Sequence, residues 1–508
     1  MTTKMIQTLR HSALVKVLAL VALTLLLCIP LAEIGSLIRE RGQSQAEAAQ
    51  ELASTHAGAQ TVAGPFLVLP WVEQWTETER NSRGEVTGQS QRSKPRTAIV
   101  FPEQLKIDGR MTPEERYRGI FRVLFYKLDA TLDGRFAALG PVPPATERGG
   151  TVTLGTPRLA FSVSDVRGIE GLPDATLGGA PLRWRQGIPG LGQAGSLQGI
   201  HAPLPGEALR ALASGEPMDF RLALKLVGQE QLRIVPAAED TEAHLQSPWP
   251  HPSFGGRFLA SERTVGDSGF DARWRVSALV STARAQLLRQ WAAEATTAGA
   301  GDVACAGGDN ACMAAATTTT AAIATPARAD LSEVDSLDVA LAQPVNVYFM
   351  AHRAAKYGAL FIGLVLMASF MFELFRQLRL HPVQYGLVGL SVALFFLLLV
   401  ALSEKLPFWQ AYALSACASV LLLVAYFSAV LRGWRRGVGL GAFVAVLYGS
   451  LYGLLASENN ALLLGALLTF GMLALLMLVT RNVDWYALSE GGAPPAEPAV
   501  MADPSLST

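Results

Sequence analysis

The stretch Tyr357–Phe375, YGALFIGLVLMASFMFELF, carries one charged residue, Glu373, in nineteen. As a helix rising 1.5 Å per residue it would cover about 28 Å, close to the thickness of bilayer hydrocarbon. Stretches of the same kind recur at about 384–402, 410–431, 438–456 and 460–479, so 357–480 is predicted to hold five transmembrane helices. One more apolar run, about 13–32, lies within SALVKVLALVALTLLLCIPLAEIG near the N-terminus. It lacks a small-x-small cleavage site, and Leu27 rather than a small residue precedes Cys28, so it reads as an uncleaved anchor.

Connector charges predict the orientation. Lys4, Arg10, Lys16, Arg376, Arg379, Arg432, Arg435, Arg436 and Arg481 fall on one side, whereas the short loops opposite carry only Lys405. The positive side is cytoplasmic by the loop-charge rule. The N-terminus (1–12) and a disordered tail (481–508) are therefore expected inside, and residues 33–350 outside, in the periplasm of a Gram-negative cell.

That outer segment alternates with period two. In MDFRLALKLVG, Phe220, Leu222, Leu224 and Leu226 oppose Arg221 and Lys225, and GFDARWRVSALV does the same around Trp274. Such runs are half-buried antiparallel strands. RTAIVF, IFRVLFYKLDATL, TVTLGTPRLAFSV and VNVYF read likewise, so the fold class is a β-rich (α+β or mainly β) domain on a helical membrane anchor. Residues 292–330 are Ala/Thr/Gly-rich without a period and read as a flexible insert. Within it Cys305 and Cys312 could close a small disulfide loop or remain free thiols; four cysteines in 508 residues are too few for a disulfide framework.

The chain has zero formal net charge with 17% charged residues, which implies no nucleic-acid partner. No metal-binding, nucleophile-elbow or phosphate-loop motif is present, so no catalytic residue, metal or cofactor is assigned. In SPWPHPSFGGRF, prolines bracket His251 and withdraw two amide donors, which favours a rigid corner anchored by Trp249 and Phe254 over a metal site with His201 or His244. In SDVRGIEG, Asp165 and Arg167 read as a turn in which Asp caps amides and Arg bridges outward.

His352, Arg353 and Lys356 stand at the outer entrance of the second span, where positive charge is ordinarily scarce. They either reach lipid phosphates or dock onto acids such as Asp330, Glu333, Asp335 or Asp338.

Taken in order, SDVRGI, SPWPHPSFGGRFL, GFDARWRV and VNVYFMAHRAAKYGALFIG through FMFELF resemble the CreD family of bacterial inner-membrane proteins over nearly the whole chain. The family's motif residues fall on Asp165, Arg167, Gly168, Trp249, Pro252, Phe254, Gly269, Phe270 and Trp274 as a structural set. Arg353, Lys356, Tyr357 and Glu373 form a coupling or interface set. The resemblance implies a non-enzymatic protein of cell-envelope integrity or stress response, associated with a two-component system. Its expected partners are membrane lipids and an envelope protein. The 292–330 insert and IVPAAED depart from the family pattern. The alternatives are a transporter of an apolar or lipid-like molecule and a periplasmic hydrolase using Asp165 and His251.

Overall fold

A computed structural model describes residues 13–80, 86–139, 150–191, 196–297, 331, 334–342, 347–376, 380–430, 433–456 and 461–481. Two compact units emerge, one of Met1–Ser44 with Val345–Thr508 and one of Gln45–Pro344.

The first unit is helical. Helix α1 (Ala13–Thr55) runs 43 residues without a break, about 65 Å, and so continues well beyond the expected 13–32 span. After the second unit come α4 (Val347–Arg376), α5 (Pro382–Ser403), α6 (Phe408–Val430), α7 (Trp434–Ala456) and α8 (Ala461–Thr480), once α2 (Gly206–Ser214) and α3 (Ala283–Thr297) of the second unit are counted. Among the described residues α1, α4, α5, α6 and α7 are long and apolar enough to cross a membrane. The remaining expected span forms the twenty-residue helix α8.

The second unit is β-rich. Its strands are β1 (Gln60–Arg80), β2 (Val86–Val100), β3 (Gln104–Arg118), β4 (Phe121–Phe136), β5 (Thr151–Leu154), β6 (Arg158–Val163), β7 (Ile169–Leu177), β8 (Ala180–Pro181) and β9 (Arg185–Pro189). They continue with β10 (Ser196–Pro203), β11 (Met218–Gln229), β12 (Gln231–Val235), β13 (Asp240–Ser247), β14 (Pro252–Gly256), β15 (Glu262–Gly266), β16 (Gly269–Ser277) and β17 (Leu337–Leu341). One sheet runs β14-β17-β12-β1-β6-β10-β9, with β2 and β5 also on β1; the other runs β15-β16-β13-β3-β4-β11-β7-β8.

The sheets share one core: Leu67 and Phe161 of the first join Leu128, Leu222 and Trp274 of the second in a single buried cluster. The outer face of the first sheet is also covered, since Phe66, Val68 and Ala160 pack with Leu287 and Trp291 of α3. Strand β6, buried on both faces, is accordingly an apolar run rather than an alternation. The second sheet alternates buried and exposed along β11, leaving one polar face to solvent.

Two expectations need correction. VNVYF is not a strand where it is described: Val347, Tyr348 and Phe349 open α4, and the adjoining strand is β17, LDVAL. Five alternating residues are too few to separate the two periods, and Ala351 and Ala354 continue the helix face into the bundle core. Residues 292–297, assigned to the flexible insert, belong to α3. The rest of the insert, with Cys305 and Cys312, lies outside the described residues, as do 1–12 and 482–508.

Candidate functional site

Within the second unit, the segment that follows α1 (the incoming crossing) and the end of β17 (the outgoing crossing) lie close together. Strand registers at one end of the first sheet run Pro252 to Leu341, Ala340 to Gln231, Leu232 to Gln60 and Val62 to Val163. The incoming and outgoing chain thus share one end of the sheet, with only β12 between their strands.

The turn Gln229–Gln231, where β11 of the second sheet becomes β12 of the first, bonds both crossings. Gln229 N donates to Gly58 O at 3.0 Å on the incoming side, and Leu341 N donates to Glu230 O at 2.8 Å on the outgoing side. Glu230 N donates to Leu124 O at 3.2 Å. Buried Tyr126 donates its hydroxyl to Gln231 O at 3.1 Å, and burial pushes that phenol above its ordinary pKa. Glu230 adopts φ 54°, a left-handed conformation uncommon for a residue with a side chain.

SDVRGI fastens the incoming crossing. Asp165 caps the 3₁₀ turn Val166–Gly168, accepting from Arg167 N at 3.1 Å and holding the Arg167 guanidinium at 2.6 Å. That guanidinium also donates to Ser54 O at the end of α1. Fully buried Gln60 reaches from β1 to the 3₁₀ turn and to β11 of the second sheet, donating to Asp165 O and Val227 O at 3.2 Å each. Gly168 fills this corner because a Cβ there would sit 2.4 Å from both Gln60 Nε2 and Val227 O. Arg118 binds Glu51, and Leu52 packs with Val123, Phe125 and Val227, so the last turns of α1 are held by charge and by burial.

SPWPHPSFGGRF fastens the outgoing crossing. Trp249 Nε1 donates to Ala342 O at 3.0 Å, and Ala342 N donates to His251 O at 3.0 Å. Pro252 begins β14, and Phe254 meets Phe270 and Trp274 edge-on at 5.6 and 5.7 Å, joining the first sheet to the second. Gly269 is required at φ 122°, since a Cβ would lie 2.0 Å from Ser247 O. Trp249 is half-buried and the His251 side chain exposed, so the segment is a corner whose histidine works through its main chain.

The structure therefore gathers the sequence-derived motif into two clamps on one turn. Three strands separate β14, which follows His251, from β6, which precedes Asp165; at ordinary strand spacing that is roughly 19 Å. Asp165 is committed to Arg167, so the hydrolase pair is not assembled. Sequence reasoning missed Gln60, Tyr126 and the Gln229–Gln231 turn.

It also missed a row on the polar face of the second sheet. His244 Nδ1 lies 2.8 Å from Asp108, and its Nε2 lies 3.1 Å from Asp271. Burial pulls the imidazole pKa down, but hydrogen bonds to Asp271 and Asp108 outweigh it and hold the group above its ordinary value. Asp271 is held below the usual carboxylate range, chiefly by its hydrogen bond with His244. Each ring nitrogen faces a different carboxylate, and among the described residues no group of three His, Cys, Asp or Glu could hold a metal ion.

In the helical unit, Glu404 lies 3.7 Å from Arg41 and hydrogen-bonds Tyr348, close in sequence to the points where the chain leaves and rejoins this unit. Glu373 is buried and accepts the Tyr385 hydroxyl at 2.5 Å. Arg353 sits over the Phe349 ring at 5.9 Å, Tyr357 packs partly buried against the helix core, and Lys356 is exposed. Of the acids expected to receive these cations, the Asp335 carboxylate accepts from Thr282 N and Oγ1, and that of Asp338 is bound by Arg233, Gln231 and Ser336. Asp330 and Glu333 lie outside the described residues.

Residues 12–486 match the family described as Inner membrane protein CreD. The chain is 34% identical over 477 residues to Inner membrane protein CreD of Escherichia coli (strain K12), covering 93% of this chain and 94% of that protein. Among solved structures, an M1 zinc metallopeptidase from Deinococcus radiodurans is 11% identical with a TM-score of 0.17, over 34% of this chain and 38% of that one. A point mutant of that enzyme is 12% identical with a TM-score of 0.18 over the same shares. Likeness at this level carries no functional argument.

Proposed function

The chain belongs to the CreD family of inner membrane proteins, and from that premise we propose a non-enzymatic role in cell-envelope integrity or the envelope-stress response. The β-rich unit lies in the periplasm and both termini in the cytoplasm. The connector charges support this, as does the proximity of Glu404 to Arg41 and Tyr348.

The β-rich unit takes up a load or a contact from lipid or an envelope protein and passes it to the spans through its two crossings. The observation that carries this reading is the Gln229–Gln231 turn, which bonds Gly58 and Leu341 together. On the receiving span, Arg353, Lys356, Tyr357 and Glu373 couple the bundle to its surroundings. A two-component system would read the result.

The test is complementation of a strain lacking the protein, scored by uptake of a normally excluded dye. Arg167→Ala and Gln60→Ala should insert at normal abundance and leave the barrier leaky. A normal barrier in both variants, at wild-type abundance, would count against coupling through the crossings. Crosslinking in native membranes then identifies the captured lipid or protein.

A further inference from the structure

An apolar groove of about 520 Å³ runs along the helical unit between α1, α4 and α8, walled by Thr24, Leu25, Leu360, Gly363, Met367 and Leu473, within the range of small-ligand sites. Leu25 and Leu473 are 66% and 55% exposed, so the groove opens on the outer surface of the helices, where a membrane-spanning bundle meets lipid. The hydroxyls at its edge are turned inward: Thr24 donates to Leu20 O and Thr469 to Gly465 O, each at 2.8 Å. The groove thus presents little but hydrocarbon. Its floor is Gly363, where an added Cβ would touch only Thr24 Cγ2, at 3.9 Å.

Basic side chains lie beyond one end of the groove's lining. Leu360, Gly363 and Met367 share a face of α4, and Lys356 continues that face one turn earlier. Arg39 of α1 and Lys356 are both charged neighbours of His352, whose Nδ1 has no hydrogen-bond partner. Among the described residues neither Arg39 nor Lys356 forms an ion pair with an acid. A hydrocarbon slot with basic side chains beyond one end matches an amphiphile with an apolar tail and an anionic phosphate head.

We infer that this groove binds one membrane phospholipid with an anionic headgroup, its acyl chain along Gly363 and its phosphate at Arg39, His352 and Lys356. The inference rests on the helical unit spanning the membrane and not on the envelope role. Its test reads binding rather than phenotype, so the two proposals fail separately.

The experiment is native mass spectrometry of the full chain in detergent, titrated with phosphatidylglycerol or phosphatidylcholine of identical acyl chains. Wild type should retain phosphatidylglycerol in preference to phosphatidylcholine by about tenfold. Gly363→Leu, which fills the floor, should lose both lipids while melting like wild type. Leu473→Trp, at an exposed wall position, should do the same and serves if Gly363→Leu melts early. The double variant Arg39→Ala/Lys356→Ala should keep lipid binding and lose the headgroup preference. Wild-type lipid retention in both groove-filling variants overturns the site, and an unchanged preference in the double variant overturns the phosphate contact. Retention of a co-purifying polyprenyl phosphate with no uptake of phosphatidylglycerol overturns the phospholipid assignment.

Discussion

The indole nitrogen of Trp249 donates to the carbonyl of Ala342 at 3.0 Å, immediately after β17 and shortly before α4 begins. One side chain from a proline-rich corner thereby holds Ala342, the last described residue of the second unit. The partner carbonyl belongs to a residue whose own amide is bound by His251 O, so the two bonds act on one peptide segment.

Replacing Trp249 by alanine is expected to destabilise the β-rich unit by about 2 kcal/mol, below the range for a fully buried aromatic because the ring is only half-buried. Trp249→Phe should cost less, retaining the ring contact while losing the donor. His251→Ala should be nearly silent, because the bond to Ala342 uses the main chain. Thermal unfolding of the full-length protein in detergent ranks the three, and a His251→Ala loss as large as that of Trp249→Ala would overturn the corner reading.

Gly168→Ala is expected to be more disruptive than its single methyl suggests. The added carbon meets a main-chain oxygen, Val227 O, and the buried Gln60 amide, neither of which can move without breaking the link between the sheets. Overpacking of this kind costs about 1–3 kcal/mol. A melting temperature equal to wild type would show that the corner is looser than drawn.

The row Asp108–His244–Asp271 predicts a pH dependence. The His244 pKa is raised on folding, so its contribution is complete below the ordinary histidine value and fades as pH climbs through the folded value. The Asp271 pKa is lowered, so its contribution is present above the ordinary carboxylate value and disappears as pH falls through the folded one. Stability from this row is therefore greatest in mildly acid solution and declines toward alkaline pH. His244→Gln should flatten the alkaline limb of a melting-temperature profile and leave other limbs alone; an unchanged slope would remove His244 as its source.

Much of this architecture was readable from residue types. The spans announce themselves because hydrocarbon tolerates few charges, and β11 because one of its faces is wet. SDVRGI and SPWPHPSFGGRF could be recognised as turns from Asp, Gly and Pro, yet their being two clamps on one junction could not. That junction is made mostly of main-chain bonds from Gln229, Glu230 and Leu341, and a peptide group leaves no mark on the choice of residue. Glu230 even conceals its turn, taking a left-handed conformation where glycine would have advertised one. His244 was weighed only as a metal ligand, and its carboxylate pairing went unread for a related reason: Asp108 and Asp271 are far from it in sequence, and only the register of β3, β13 and β16 sets them on either side of it.

Tyr385→Phe is expected to weaken the packing of α4 on α5. The phenol donates to Glu373 within the buried helix core, where losing a donor to a carboxyl costs about 1–3 kcal/mol. Adding Glu373→Gln should recover part of the loss, because an amide tolerates that environment better than an acid with one donor fewer. The melting temperatures of the two single variants and the double variant form the cycle, and strict additivity would mean that the two side chains do not interact.

The last expectation concerns orientation, for which charge and geometry give independent arguments. Lys405 is the only basic residue in the short loops assigned outside, so the charge rule places its loop with the β-rich unit. Separately, Glu404 in that loop lies beside Arg41 and hydrogen-bonds Tyr348, and the chain passes to and from the β-rich unit within a few residues of both. A helix bundle cannot place Glu404 at that end and on the opposite face of a membrane. In cells with Cys28 and Cys417 replaced and with Cys305 and Cys312 removed, a cysteine at Lys405 should react with an impermeant maleimide to the same extent as one at exposed Leu172 of the β-rich unit. A cysteine at Arg435, in the basic segment at the start of α7, should react only after the membrane is opened. Reaction of Lys405→Cys and Arg435→Cys from the same side would contradict both arguments at once, because α6 lies between the two positions and must cross for either to hold.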